Sequence, residues 1–287
     1  MSFVAVIGAG PVGGAVAHAI AIGSAFREVR LIDAATGVAE GKALDIRQSG
    51  PIDRFDTVVT GEGDVLAACN AAVIVIADAA AGEDWDGERG LGLVRQLMRA
   101  GTQAPIVFAG AKHMSVMEAA ARELGVPVDR MIGSAAAAMA GAARALTAAE
   151  ANGSAKDVAV SVVGRPPGIV VAWSSASIAG ASVSERIAPH RLVALTQALR
   201  KLWPCGPQAI GAATAEIAAG LAFGSRRQIS ALTVLDGELG VRRIAAMLPV
   251  DLGGGRIRQR LIPTLSPQER TELLNSMGTG LFSTEMA

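Results

Sequence analysis

The chain has 287 residues, and its 26 lysines and arginines balance 26 aspartates and glutamates, so it carries no formal net charge. This balance gives no electrostatic reason to expect nucleic acid or an anionic membrane as a partner. The mean hydropathy is +0.41, but glycines and an arginine interrupt the most apolar stretch, residues 131–146, which favours a buried helix over a membrane span. The two cysteines predict neither a disulfide framework nor a metal site. With no signal-peptide pattern at the N-terminus, we expect a cytoplasmic protein.

In the first half of the chain, short β-branched runs alternate with helical patterns, which is typical of a parallel sheet. We predict strands at residues 3–7, 28–33, 57–60, 72–76, 105–109 and 130–132. We predict helices at residues 12–22, 37–47 and 91–100, and the Ala-rich helix follows the last of these strands.

Near residue 153 the pattern changes, and strand-like runs come in adjacent pairs, which indicates antiparallel pairing. We predict strands at residues 157–163, 228–235 and 240–248, a long helix at 184–203 and a hairpin turn at glycines 253–255. The final helix has Ser266 as its N-cap, then Pro267, with Glu269 completing a capping-box arrangement.

The segment Gly8-Ala-Gly-Pro-Val-Gly13 lies between the first predicted strand and the first predicted helix. Its glycines allow a tight turn, a close approach of the backbone to a pyrophosphate, and close packing of the helix. An aspartate ends the second strand, where a carboxylate accepts hydrogen bonds from ribose hydroxyls and repels a 2′-phosphate. The alternative is a glycine turn that binds nothing. We predict NAD as the cofactor, bound by Gly8, Gly10, Pro11, Val12, Gly13 and Asp33.

Several segments resemble the lactate/malate dehydrogenase family: Val6-Ile-Gly-Ala-Gly-Pro-Val-Gly13, Leu31-Ile-Asp33, Gly41-Lys-Ala-Leu-Asp-Ile46, and residues 240–253 and 265–276. The resemblance covers nearly the whole chain. It implies an α/β fold, with an NAD-binding Rossmann domain at residues 1–150 and an α+β substrate domain at residues 151–287. It also implies a homo-oligomer, a dimer or tetramer formed through helices of the Rossmann domain.

The family's usual catalytic residues have no clear counterparts here. Its histidine lies in a G-x-H-G segment, but the matching segment Gly164-Arg-Pro-Pro-Gly168 has Pro166 at that place, and proline cannot exchange a proton. The helix that carries the family's L-D-x-x-R segment has Gly141 three residues before Arg144, where the aspartate belongs. Arg144 is therefore a candidate for the arginine that binds the substrate carboxylate, without its acidic neighbour.

Two further segments depart from the family. The mobile loop after the fourth strand is basic in the family, but here it carries Asp78, Glu83, Asp84, Asp86 and Glu88, and Arg89 is the one candidate to replace its arginines. The family's N-P dipeptide after the next strand is Gly-Ala here. The acidic loop is either a cover that favours a neutral or cationic substrate or a solvated surface segment.

His113 and Lys112 are the candidates for a replacement proton donor. They follow the strand predicted at residues 105–109, at the carboxyl edge of the sheet, where ligands of such sheets bind. A solvated loop pair is the alternative. We expect His18 to be packed or half-exposed and His190 to lie on the surface, and Arg165 either binds an anion or faces water.

Two functions remain open. The first is an NAD-dependent oxidoreductase for a small-molecule substrate, which does not act on lactate or malate by the family's usual mechanism. The second is a non-catalytic NAD-binding protein, a sensor or a regulatory subunit that kept the fold without the reaction.

Overall fold

The computed structural model describes residues 2–82 and 85–278. The first half contains β1 (Phe3–Ile7), α1 (Pro11–Gly23), β2 (Glu28–Ile32), α2 (Thr36–Asp53), β3 (Val58–Glu62), β4 (Val73–Ile76), α3 (Gly87–Arg99), β5 (Ile106–Phe108), α4 (Met114–Glu123), β6 (Met131–Gly133) and α5 (Ala135–Glu150). Strands β1 to β6 pair in parallel. The predicted α/β fold with a parallel sheet is therefore confirmed.

The second half contains β7 (Val158–Ala159), β8 (Val162–Val163), β9 (Val170–Val171), β10 (Ser177–Ile178), β11 (Ala181–Ser182), α6 (Pro189–Arg200), α7 (Pro207–Phe223), β12 (Ile229–Asp236), β13 (Arg242–Gly253), β14 (Arg256–Arg260) and α8 (Pro267–Ser276). Strands β12, β13 and β14 pair antiparallel. Because β12 also pairs with β6, one nine-stranded sheet runs through both halves in the order β14-β13-β12-β6-β5-β4-β1-β2-β3. The division into domains at residue 150 stays a prediction.

The sheet is covered on both faces, as a parallel sheet requires. On β1, Val4 and Val6 belong to the apolar cluster that includes α1 and α7, whereas Ala5 and Ile7 belong to the cluster that includes α3 and α4. Such alternation follows from the two-residue period of a strand. None of the helices described is long and apolar enough to cross a bilayer.

The helix predicted at residues 184–203 is present but shorter than predicted. The helix there is α6, which begins at Pro189, and a second helix, α7, follows it and was not predicted. The α7 segment is rich in alanine and glycine and has no polar face. Its sequence therefore shows no alternation of polar and apolar residues with a helical period. Its burial explains this composition, because a Cβ on Gly211 would lie 2.7 Å from the Ala15 carbonyl oxygen of α1.

Two local predictions are confirmed. The hairpin between β13 and β14 turns at Gly254 and Gly255, whose φ angles are +64° and +74°. At the start of α8, Ser266 Oγ accepts from the Glu269 N–H at 3.2 Å, and the Glu269 carboxylate accepts from the Ser266 N–H at 2.8 Å. The strand predicted at residues 157–163 is divided into β7 and β8.

Candidate cofactor site and adjoining cleft

The glycine loop, residues 8–13, connects the carboxyl end of β1 to α1. Gly8 has a φ of +109°, and a Cβ there would lie 2.3 Å from the Asp78 carbonyl oxygen. A Cβ on Gly13 would lie 1.9 Å from the Gly8 carbonyl oxygen. Side chains at these two positions are therefore excluded by backbone contacts, and α1 begins at Pro11 with its N-terminus facing the edge of the sheet. This is the geometry of a turn that binds pyrophosphate.

Asp33 joins three segments at this edge. Its Oδ2 accepts from the N–H groups of Ala9 and Ala80, both at 2.8 Å, and its Oδ1 accepts from the Ala35 N–H at 2.9 Å. Burial would raise the pKa of Asp33, but these bonds and the charge of Lys42 outweigh it and hold the pKa below its usual value. The carboxylate thus stays ionised, and Oδ1 keeps a lone pair for a ribose hydroxyl.

Two residues at the glycine loop were not predicted as part of the cofactor site. The Asp78 carboxylate is buried and accepts from the Gly13 N–H at 2.9 Å. Lys42 Nζ donates to the Gly10 carbonyl oxygen at 2.8 Å. Lys42 lies within the segment 41–46 that resembles the family, which was the available signal. Asp78 had been assigned to the acidic loop, because its burial depends on how β4 lies beside β1.

A cleft opens beside the glycine loop at the carboxyl end of β5, which we call the edge cleft. Lys112 lines it, and so does Cys205, whose thiol pKa is raised to about 11 by burial. The rest of the lining is apolar or backbone: Val12, Ala109, Gly110, Trp203, Pro204 and Ile210. The edge cleft therefore brings predicted residues Val12 and Lys112 to one place, with Lys112 as its cation.

His113 is not a solvated loop residue. Its side chain is fully buried, Nδ1 accepts from the Gly110 N–H at 3.0 Å, and Nε2 has no partner among the described residues. Burial lowers the pKa of His113 to about 4, although the nearby Asp86 charge opposes this shift. The imidazole is therefore neutral at physiological pH, and it does not line the edge cleft. The structure thus separates His113 from its neighbour Lys112.

Arg144 lies on α5 and lines a different cavity, together with Lys156 and Arg227. That cavity shares no lining residue with the edge cleft. The structure therefore does not bring Arg144 together with Lys112 and the glycine loop.

The turn at residues 164–168 is tied into the protein core. The Arg165 guanidinium forms an ion pair with Glu118 of α4 and donates to the Ala245 carbonyl oxygen at 2.9 Å. The Ala245 N–H donates to the same Glu118 carboxylate at 2.7 Å. The Arg165 guanidinium is therefore bound to groups of the protein itself and does not simply face water. Pro166 beside it carries no exchangeable proton.

The remaining candidates lie apart. His18 is half-exposed and lies 3.1 Å from Asp53, and His190 is exposed, both as expected. In the acidic loop, Asp86 and Glu88 are exposed at the start of α3, whereas Glu83 and Asp84 lie outside the described residues. The Arg89 guanidinium lies 4.8 Å from the centre of the Trp85 ring. Among the described residues, no group of histidine, cysteine or carboxylate side chains is arranged to hold a metal ion.

Residues 3–98 match the family model described as the lactate/malate dehydrogenase NAD binding domain. Malate dehydrogenase from Chlorobium phaeobacteroides is 28% identical over 296 residues, which cover 95% of this chain and 94% of that protein. These matches support membership of the lactate/malate dehydrogenase family. They indicate an NAD-dependent oxidoreductase, with NAD as its cofactor.

Solved structures from the lactate/malate dehydrogenase family agree with this fold. Malate dehydrogenase from Salinibacter ruber superimposes with a TM-score of 0.86 at 27% identity, covering 97% of this chain and 95% of that one. The minor L-lactate dehydrogenase from Enterococcus mundtii superimposes with a TM-score of 0.87, covering 96% of this chain and 95% of that one; at 19% identity it shows the fold alone.

Proposed function

We propose that this chain is an NAD-dependent oxidoreductase that uses Lys112 as its proton donor and does not act on lactate or malate by the family's usual mechanism. The observation that carries the proposal is the edge cleft, where Lys112 stands beside the glycine loop in an otherwise apolar lining. Pro166, at the place of the family's histidine, offers no proton, and Arg165 beside it is paired with Glu118.

NADH, when bound, supplies a hydride to the carbon of a carbonyl or imine. The substrate's oxygen or nitrogen then needs one proton, which the Lys112 ammonium can donate. Trp203, Pro204 and Ile210 form apolar walls beside the exposed Lys112, so a small substrate can place its apolar part against them while its carbonyl or imine faces the ammonium. The exposed carboxylates of Asp86 and Glu88 at the start of α3 favour a neutral or cationic substrate over a dicarboxylate. Arg144 lines another cavity and has no part in this proposal.

NADH binding, followed by fluorescence, and turnover of a panel of carbonyl, imine and hydroxy-acid compounds test the proposal together. We expect NADH to bind and at least one neutral or cationic compound to turn over. Lys112→Ala should lower kcat by roughly 100-fold or more, the usual contribution of a general acid, with an unchanged NADH Kd. The matched control is Lys201→Ala, which removes an exposed lysine at the end of α6.

The second candidate is an NAD-binding protein without catalysis. The turn at residues 164–168 favours it, because the one titratable side chain in that turn, Arg165, is paired with Glu118. NADH binding without turnover of any compound in the panel would support this candidate over the enzyme. If NADH does not bind, both candidates are wrong. Turnover that is unchanged in Lys112→Ala would leave an oxidoreductase but remove Lys112 as its acid.

A further inference from the structure

We propose that the Asp78 carboxylate occupies the glycine loop and competes there with the pyrophosphate of the cofactor. This competition lowers the affinity of the chain for NAD(H). The proposal rests on the proposed function, because it concerns the same cofactor site. It makes Asp78 a residue that determines which ligands the site accepts.

Both the side chain and the backbone of Asp78 contact the glycine loop. Its Oδ1 accepts from the Gly13 N–H at 2.9 Å, and its backbone oxygen accepts from the Gly10 N–H, also at 2.9 Å. A Cβ on Gly10 would lie 2.3 Å from Asp78 Cγ and 2.4 Å from Oδ2. The carboxylate therefore lies against the face of Gly10 that a dinucleotide-binding turn keeps open for the pyrophosphate.

Asp78 uses the same hydrogen-bond donors as a phosphate would. The first N–H groups of α1 have no partner within the helix, and together with the helix dipole they favour an anion. The Asp78 carboxylate already accepts one of these N–H groups. A pyrophosphate that binds here must displace this carboxylate or lie against it.

Two carboxylates and a lysine surround the glycine loop. The carboxylates of Asp33 and Asp78 are both buried at this edge. The nearby cation is Lys42, whose Nζ is bonded to the Gly10 carbonyl oxygen. Like charges that share a partly desolvated site oppose each other, so the two charges of a pyrophosphate meet repulsion from Asp78. An uncharged nucleoside meets none.

The test compares three ligands on the full-length chain: NADH, ADP and adenosine, with Kd measured by fluorescence or calorimetry. Asp78→Asn keeps an oxygen that can accept from Gly13 but removes the charge, whereas Asp78→Ala removes both. We expect both variants to bind NADH and ADP on the order of tenfold more tightly than the wild type, the size of effect that a like charge in a shared site produces. Adenosine should bind with unchanged affinity.

Asp56→Asn is the matched control. It removes an exposed carboxylate that precedes β3, at the amino ends of the parallel strands, whereas the glycine loop lies at their carboxyl ends. Equal or weaker binding of NADH and ADP by Asp78→Asn would overturn the proposal. It would show that Asp78 either has no effect on binding or contributes to it. Equally tightened binding of adenosine would also overturn it, because that result shows a change in the fold rather than in the charge. If neither the wild type nor the variants bind NADH or ADP, the proposed function itself is wrong, and this inference with it.

Discussion

The Arg165 guanidinium and the Glu118 carboxylate form an ion pair that joins the turn at residues 164–168 to α4. A second contact of the pair has Arg165 Nη2 3.4 Å from Glu118 Oε2, and the backbone of Ala245 bonds to both side chains. The turn at residues 164–168 is thus held against α4 and β13 by a charged pair.

Arg165→Ala is expected to lower the free energy of unfolding by about 2–3 kcal/mol, because it leaves the partly buried Glu118 carboxylate without its counter-ion. A double-mutant cycle with Glu118→Ala should give a coupling energy of at least about 1 kcal/mol in urea unfolding. A coupling near zero would show that the pair does not hold the turn.

Gly10→Ala is expected to abolish measurable NADH binding, because its Cβ would lie 2.3 Å from Asp78 Cγ and 2.6 Å from the Ala79 carbonyl oxygen. Combining it with Asp78→Ala should not restore binding, since the Ala79 backbone remains. Fluorescence titration checks both variants. Gly92→Ala in α3 is the control, because beyond the backbone of its own helix no described atom lies within 4 Å of its Cβ position. Normal NADH binding by Gly10→Ala would contradict the assigned position of the cofactor.

Asp33→Asn is expected to weaken NADH binding and to destabilise the protein. The amide nitrogen cannot accept a hydrogen bond, so at least one of the N–H groups of Ala9, Ala35 and Ala80 loses its acceptor. An unsatisfied buried donor costs about 1–3 kcal/mol, which urea unfolding measures directly. Asp56→Asn, which removes an exposed carboxylate, should leave both quantities unchanged.

The buried His113 predicts a stability that falls in mild acid. Its pKa is about 4 in the folded protein, against 6.5 for a free imidazole. The unfolded chain therefore binds a proton that the folded chain does not, so this contribution is fully present above pH 6.5 and is lost as the pH falls towards 4. The loss approaches roughly 1.4 kcal/mol per pH unit.

Urea unfolding at several pH values between 7 and 4 measures this slope. His113→Asn keeps an acceptor for the Gly110 N–H but cannot take up a proton, so its slope should be smaller by the uptake of one proton. Identical slopes in the two proteins would show that His113 titrates normally in the folded state.

Local sequence was sufficient to predict the glycine turn between β1 and α1. The turn needs glycine at position 8, where φ is +109°, and at position 13, where a Cβ would lie 1.9 Å from the Gly8 carbonyl oxygen; both requirements arise within the turn itself. The capping box at Ser266 and the hairpin at residues 253–255 were predicted for the same reason. The helix α7 was missed because its small residues meet α1, a contact between residues far apart in the chain.

The chemistry at the site depended on tertiary structure instead. Lys112 and His113 are adjacent in sequence, yet one lines the edge cleft and the other is buried against Phe108. Asp78 was one acidic residue among several until the pairing of β4 with β1 brought its carboxylate to the start of α1. The sequence alone therefore determined that the chain has a glycine turn suited to NAD. Which side chains surround that turn was decided by the packing of distant segments, since burial and charge depend on every neighbour in space.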